Sequence, residues 1–250
     1  MYMLFATGDT HGDFGRFSAE IFPEQNELGR EDFVLICGDF GGVWSGDKKE
    51  QRRLDKLEAL PFTTLWIDGN HENYDRLQKY PVEEWNGGKI QRIRPHILHL
   101  MRGQVFKIDG HTLFTMGGAS SHDISDGILN PWSPDFKELY QAMRSMGAQF
   151  RVNHRSWWKE ELPSEAEYEE ARRNLEKAGN QVDYIVTHCA PNHIVDQLGN
   201  GAYAHDALTD FLQTICETTS FRHWLFGHYH NNRILEQRFV LLWEQIVRVW

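Results

Sequence analysis

Five short segments of the chain set carboxylate, amide or imidazole side chains beside small turn residues. They are Gly8-Asp9-Thr10-His11-Gly12, Gly38-Asp39, Gly69-Asn70-His71, Thr187-His188 and Gly227-His228-Tyr229-His230. Each alone also reads as turn chemistry: glycine supplies a positive φ, Asp caps a following helix, and His188 becomes a hydrogen-bonded interior residue. Together they offer Asp9, His11, Asp39, Asn70, His71, His188, His228 and His230. Two carboxylates, one amide and several imidazoles suit Mn, Fe or Zn better than Ca or Mg. The set exceeds what one tetrahedral ion takes, so two divalent transition metals are the economical reading. In Gly227–His230, strand-like alternation would put both imidazoles on one face.

The elements that must position these groups follow from the same segments. Each cluster ends an apolar run: Tyr2–Thr7, Phe33–Cys37, Thr63–Ile67, Tyr184–Val186 and Trp224–Phe226. Their length and bounding glycines predict buried strands, and ligands bind at the carboxyl ends of strands in open α/β sheets. Helices are predicted over Asp47–Leu60, from Phe136 to the stop at Gly147, over Glu165–Ala178 behind a Ser164/Glu167 capping box, and around Leu208–Ile215. Asp109-Gly110 predicts a hairpin between Val105–Ile108 and Thr112–Met116, and Arg233–Leu235 with Arg238–Trp243 reads as another strand pair. The pattern is an α/β fold with a mixed sheet, read as one domain over residues 1–250. An insertion at about 119–162 breaks the alternation, as lids and substrate loops do.

Composition narrows the class. The chain has 250 residues, 40% of them apolar and 13% aromatic, which excludes disordered, collagen-like and coiled-coil proteins. A net charge of −10 argues against a long nucleic-acid track or an anionic membrane partner. Three cysteines without CxxC spacing argue against a disulfide framework. The segment Met1–Thr7 lacks a basic n-region and runs into Gly8-Asp9, so no signal peptide is expected. With no apolar stretch near the ~18 residues of a membrane span, a cytoplasmic location is expected.

In their order, the motifs Gly-Asp-x-His-Gly, Gly-Asp-x-x-Gly, Gly-Asn-His-Glu, Thr-His and Gly-His-x-His resemble those of the calcineurin-like metallophosphoesterase superfamily. The resemblance runs from Gly8 to His230. It implies a four-layer α/β/β/α sandwich with two mixed β-sheets. It also implies that Asp9, His11, Asp39 and His230 ligate one metal and that Asp39, Asn70, His188 and His228 ligate the other. Mn is the favoured ion. A bridging Asp39 would offset repulsion between two cations about 3.5–4 Å apart, and a metal-bridging hydroxide would attack phosphorus. His71 is expected to stand by the leaving oxygen as general acid or phosphoryl-oxygen donor, or else to hold Asn70. The Ser/Thr protein phosphatase branch continues its second motif as Gly-Asp-x-x-Asp-Arg-Gly. Here it reads Gly38-Asp39-Phe40-Gly41-Gly42-Val43-Trp44, without that branch's orienting Asp and clamping Arg.

Candidates to meet the substrate anion instead are Arg102, His122, Arg151, His154 and Arg155. The insertion is expected to form part of a lid, with Trp157 or Trp158 either stacking on an aromatic leaving group or anchoring the core. Lys48–Arg53 reads as a solvated helix face. A Cys189/His188 dyad is disfavoured, since neighbours on an extended segment point apart. The remaining histidines, His96, His99, His111, His193, His205 and His223, carry no motif. The expected activity is hydrolysis of a phosphate mono- or diester, with a small phosphoester or nucleotide as substrate. A nucleic-acid nuclease or end-processing enzyme is the alternative, and a non-catalytic scaffold is disfavoured because every ligand position is filled.

Overall fold

The computed structural model describes residues 2–199 and 203–250. The five apolar runs are strands, each buried on both faces, which explains their nearly continuous apolar character. They are β1 (Leu4–Thr7), β2 (Phe33–Ile36), β3 (Thr63–Trp66), β11 (Tyr184–Thr187) and β12 (His223–Phe226). Between β3 and β11 lie β4 (Val82–Trp85), β5 (Gly88–Arg94), β6 (Ile97–Leu100), β7 (Gln104–Ile108), β8 (His111–Met116), β9 (Ile128–Leu129) and β10 (Arg151–Val152). The chain closes with β13 (Arg233–Leu235), β14 (Phe239–Leu241) and β15 (Val247–Arg248). Helices are α1 (Lys48–Glu58), α2 (Tyr74–Leu77), α3 (Phe136–Met146), α4 (Glu165–Lys177), α5 (Asn192–Gly199) and α6 (Ala207–Thr218).

A seven-stranded sheet has the order β15-β1-β2-β3-β6-β5-β4, and a six-stranded sheet the order β13-β14-β12-β11-β8-β7. Both are mixed: β1, β2 and β3 run parallel, as do β8, β11, β12 and β14, with antiparallel strands at the edges. Period-two alternation assigns the layers. Leu4, Ala6, Leu35 and Leu65 share one core with Leu113, Val186 and Leu225, so these faces of the two sheets meet. Phe5, Val34, Ile36 and Trp66 face the other way, onto Leu54 and Leu57 of α1 and Tyr74 and Leu77 of α2. Phe114, Ile185, Trp224 and Phe226 pack on α4, α5 and α6. Helix, sheet, sheet and helix layers follow, as the resemblance implied.

Local signals act where the sequence places them. Asp47 caps α1 by accepting from the Lys49 and Glu50 N–H groups, and Ser164 and Glu167 form the capping box of α4. Asp109 and Gly110 take left-handed φ values of 47° and 84°, the turn that joins the β7–β8 ladder. The β4–β5–β6 meander, the β9–β10 pair, α5 and β15 lie outside the sequence expectation, although Asn86-Gly87 makes a second left-handed turn of the same kind.

The insertion has its own small core, with Leu129, Met143 and Val152 against Phe136, Tyr140 and Phe150. Its two ends are joined where the Ala119 N–H donates to the Glu161 carbonyl and Ser121 binds the Glu161 carboxylate. Trp158 anchors it. The ring is 1% exposed, lies edge-on to Trp44 and donates its Nε1–H to Asp75 at 2.8 Å. The core-anchor reading therefore holds for Trp158, which presents no ring to a substrate.

Candidate metal centre

Asp9, Asp39 and Asn70 follow the carboxyl ends of three neighbouring parallel strands, and His188, His228 and His230 follow two in the facing sheet. The two sheet edges thus converge on one cluster. Close approach leaves no room for side chains at the motif glycines. A Cβ on Gly38, at φ 95°, would lie 2.0 Å from His188 Nδ1, and one on Gly69 would lie 2.1 Å from Asp39 Oδ1.

Asp9 and Asp39 are each 1% exposed. Asp9 Oδ1 accepts the His228 N–H at 3.0 Å. Its Oδ2 lies 3.2 Å from His230 Nε2 and 3.9 Å from His11 Nε2, yet accepts no hydrogen bond of acceptable geometry. Asp39 Oδ1 accepts the His71 N–H at 2.8 Å and lies 3.3 Å from His188 Nε2, while Oδ2 is 3.9 Å from His11 Nε2. Asn70 Oδ1 is 3.2 Å from the same His188 nitrogen. The His11 and His230 Nε2 atoms are 3.3 Å apart. His188 donates Nδ1–H to the Cys37 carbonyl at 2.7 Å, a bond that fixes the tautomer and frees Nε2 for a cation.

The Gly-His-x-His segment corrects one sequence expectation. It is a bend and not an extended strand: His228 and His230 sit at φ 70° and 45°. Their rings diverge accordingly. His228 meets His188, with ring centroids 5.0 Å apart, whereas His230 meets Asp9 and His11. His11 (φ 46°) and Asp39 (φ 49°) are left-handed too. Such conformations cost roughly 1–2 kcal/mol each and persist where the surrounding structure over-determines them.

Electrostatics reflect the crowding. Burial alone would raise the Asp39 carboxyl, but His188, His71 and His11 hold it well below the usual range. Burial alone would lower His188, but Asp39, Asp9 and the Cys37 carbonyl push it up to about 10. Burial, then His188 and His122, drive His228 well down. Burial also lowers His71 against the pull of Asp39. A tight set of oxygen and nitrogen donors around an orphaned buried carboxylate oxygen fits bound divalent cations. Asp9, His11 and His230 form one convergent group, and Asp9, Asp39 and His188 another.

Loop clamps hold the cluster. The buried Glu72 carboxylate accepts the Phe40 N–H at 2.7 Å and the Gly41 N–H at 3.4 Å, tying the second motif to the third. Arg16 donates to the Gly8, Asp9 and Trp243 carbonyls. No described side chain hydrogen-bonds the His71 ring, which packs edge-on against His11 at 5.5 Å.

Of the expected substrate residues, His122 reaches the cluster, with its Nε2 2.7 Å from His228 Nε2. Three others are directed elsewhere. Arg102 is 6% exposed and spent on Asp68, the Tyr74 hydroxyl and the Glu160 carbonyl. His154 pairs with Asp75 at 2.9 Å, and Arg155 lies over the Phe136 ring inside the insertion. Arg151 stands in the groove beside His11 and His71. The solvated reading of Lys48–Arg53 also needs correction, because Glu50 is buried and Arg53 lines that same groove. Glu50, Arg53, Leu54 and Leu57 share the i, i+3, i+4, i+7 face, and that spacing was the signal for it.

Two mixed sheets carrying an oxygen–nitrogen donor cluster on their joined carboxyl edges define the class of α/β-sandwich metallohydrolases. The family model for calcineurin-like phosphoesterases matches residues 3–232, and the chain belongs to that family of metal-dependent phosphoric ester hydrolases. It is 28% identical over 157 residues to lariat debranching enzyme A of Xenopus laevis, covering 56% of this chain and 28% of that protein. It is 27% identical over 146 residues to the lariat debranching enzyme of Danio rerio, covering 51% and 24%. The match spans about a quarter of each relative's length. Among the described residues no helix is long and apolar enough to cross a membrane.

Proposed function

We propose that the chain hydrolyses a phosphate mono- or diester with two divalent transition metal ions, Mn favoured. In this reading Asp9, His11, Asp39 and His230 hold one ion and Asp39, Asn70, His188 and His228 the other. The observation that carries it is the buried, unpartnered Asp9 Oδ2 amid imidazole nitrogens, with Asp39 oxygens directed at both His11 and His188. Bound cations supply charge for the phosphoryl oxygens and lower the pKa of a water nucleophile. The chain's own part is orientation: the Cys37 carbonyl fixes His188, the Asp9 carboxylate fixes the His228 backbone, and Asp39 fixes that of His71. His71 then stands beside His11 at the groove to donate to the leaving oxygen or the phosphoryl oxygens. His122 joins from the insertion, which walls the site as a lid-like segment of a single domain. The free thiols of Cys37, Cys189 and Cys216 support a reducing, cytoplasmic setting.

The test is hydrolysis of aryl phosphate mono- and diesters by chelator-treated protein reloaded with Mn, Fe or Zn. About two ions per chain and loss of turnover in Asp39→Asn and His71→Ala are expected. Full activity in excess chelator, or an unaffected Asp39→Asn variant, would overturn the reading. A second reading, a nucleic-acid phosphodiester as substrate, is favoured by the two relatives named for lariat debranching. Branched and linear oligonucleotides in the same assay separate it from a small phosphoester.

A further inference from the structure

The groove of about 400 Å³ that has His11 and His71 on its wall also carries two arginines, Arg53 from α1 and Arg151 from the insertion. No carboxylate of a described residue lines it. Arg53 makes no hydrogen bond or ion pair with any described residue, and its Nε is buried without a partner. Its Nη1 would lie 3.4 Å from a Cβ on Gly12, so the guanidinium stands against the first metal-site motif. Arg151 is held from behind. Its Nε and one Nη donate to the two oxygens of Asp123, Nε at 2.9 Å, and its Nη1 has no partner among the described residues.

A half-buried guanidinium with an unsatisfied N–H is costly, and native proteins seldom keep one without an acceptor. Arg53 is such a group, and with the free Nη1 of Arg151 in the same groove the pair suits an oxyanion, because the planar fork of arginine matches phosphate oxygens two at a time. The second motif of this chain offers no arginine of its own, since Phe40-Gly41-Gly42-Val43 follows Asp39.

We propose that Arg53 and Arg151 together grip the phosphoryl oxygens of the substrate, one from helix α1 and one from the insertion. The proposal rests on the phosphoesterase reading and names the part of the site that holds the anion. Asp123 is a positioning residue that aims Arg151. The insertion is then part of the active site and not an appendage, because the groove is incomplete without it.

The probe is inorganic phosphate, titrated by calorimetry into the Mn-loaded protein and measured in parallel as an inhibitor of aryl phosphate hydrolysis. Arg53→Ala and Arg151→Ala are each expected to weaken phosphate about tenfold or more, the worth of a charge-assisted hydrogen bond. Metal content and Tm should stay as in the parent, and free guanidinium should restore part of the lost turnover of Arg53→Ala. Arg53→Lys, which keeps the charge and loses the fork, should fall between. Phosphate affinity equal to the parent in both alanine variants overturns the grip. So does loss of bound metal in step with loss of phosphate, which would make the arginines supports of the metal loops. Parent protein that binds phosphate through both arginines but hydrolyses no ester would refute the phosphoesterase reading while leaving the grip standing.

Discussion

Glu72→Ala offers a direct measure of how the metal loops are held. The Glu72 carboxylate is 1% exposed and accepts the Phe40 N–H at 2.7 Å, with the longer Gly41 contact at 3.4 Å adding little. Truncation leaves the Phe40 N–H unsatisfied at about 1–3 kcal/mol and opens a cavity where the side chain stood. A total loss of about 2–3 kcal/mol follows, or about 5–10 °C in Tm for a chain of this size. Burial and the nearby Asp39 charge raise the Glu72 pKa well above its usual value, so a neutral amide is tolerated there. Glu72→Gln keeps an oxygen for Phe40 and should lose less than about 1 kcal/mol. The assay is thermal denaturation of chelator-treated and Mn-loaded protein, with Mn affinity by calorimetry. The alanine variant should lose both stability and affinity, because Asp39 precedes the released segment. Alanine and glutamine variants with the same Tm and the same Mn affinity would refute the clamp.

Three further outcomes follow from the same geometry. His188 has a folded pKa of about 10, above the 6.5 of the free side chain, so its protonated form stabilises the metal-free protein fully below pH 6.5 and progressively less up to pH 10. The Tm of chelator-treated protein should fall across that window while Mn affinity climbs by up to about tenfold per pH unit, as one proton is displaced; a flat Tm profile contradicts this. Gly38→Ala should displace His188 from the Cys37 carbonyl and strip metal from a protein that still folds, read as metal per chain beside a native circular dichroism spectrum; full occupancy would show that the loop yields. Arg102→Ala takes the guanidinium from the buried Asp68, leaving it only His99 and the Tyr74 hydroxyl, and should cost about 3 kcal/mol of stability with an unchanged KM, whereas a raised KM at unchanged Tm would return Arg102 to the substrate.

The strands that carry the metal cluster were legible because their signals are local. An apolar run that ends in Gly-Asp or Gly-Asn states both the strand and the turn after it, and β1, β2 and β3 follow that rule to within two residues. The capping box of α4 and the Asp109-Gly110 turn are equally self-contained. Arg53 escaped the same reading because its helix looked solvated, although its spacing from Glu50, Leu54 and Leu57 set it on the inward face. His228 and His230 were found by type, but their backbone was misread, because left-handed φ values at alternate positions carry no side-chain signature.

The sequence by itself therefore determined the donor chemistry, since metal preference depends on atom types, and the strand ends that present it, since those depend on neighbours in the chain. Partnership was decided only by the tertiary structure. Arg102 and Arg155 are as cationic in sequence as Arg53 and Arg151, yet the fold gives Arg102 to Asp68 and Arg155 to the Phe136 ring, as it gives His154 to Asp75. It leaves Arg53 and one nitrogen of Arg151 unclaimed beside His71. A charge in water is equivalent wherever it lies along the chain. Its role is set by which opposite charge the fold buries against it, and that depends on contacts 28 to 79 residues apart.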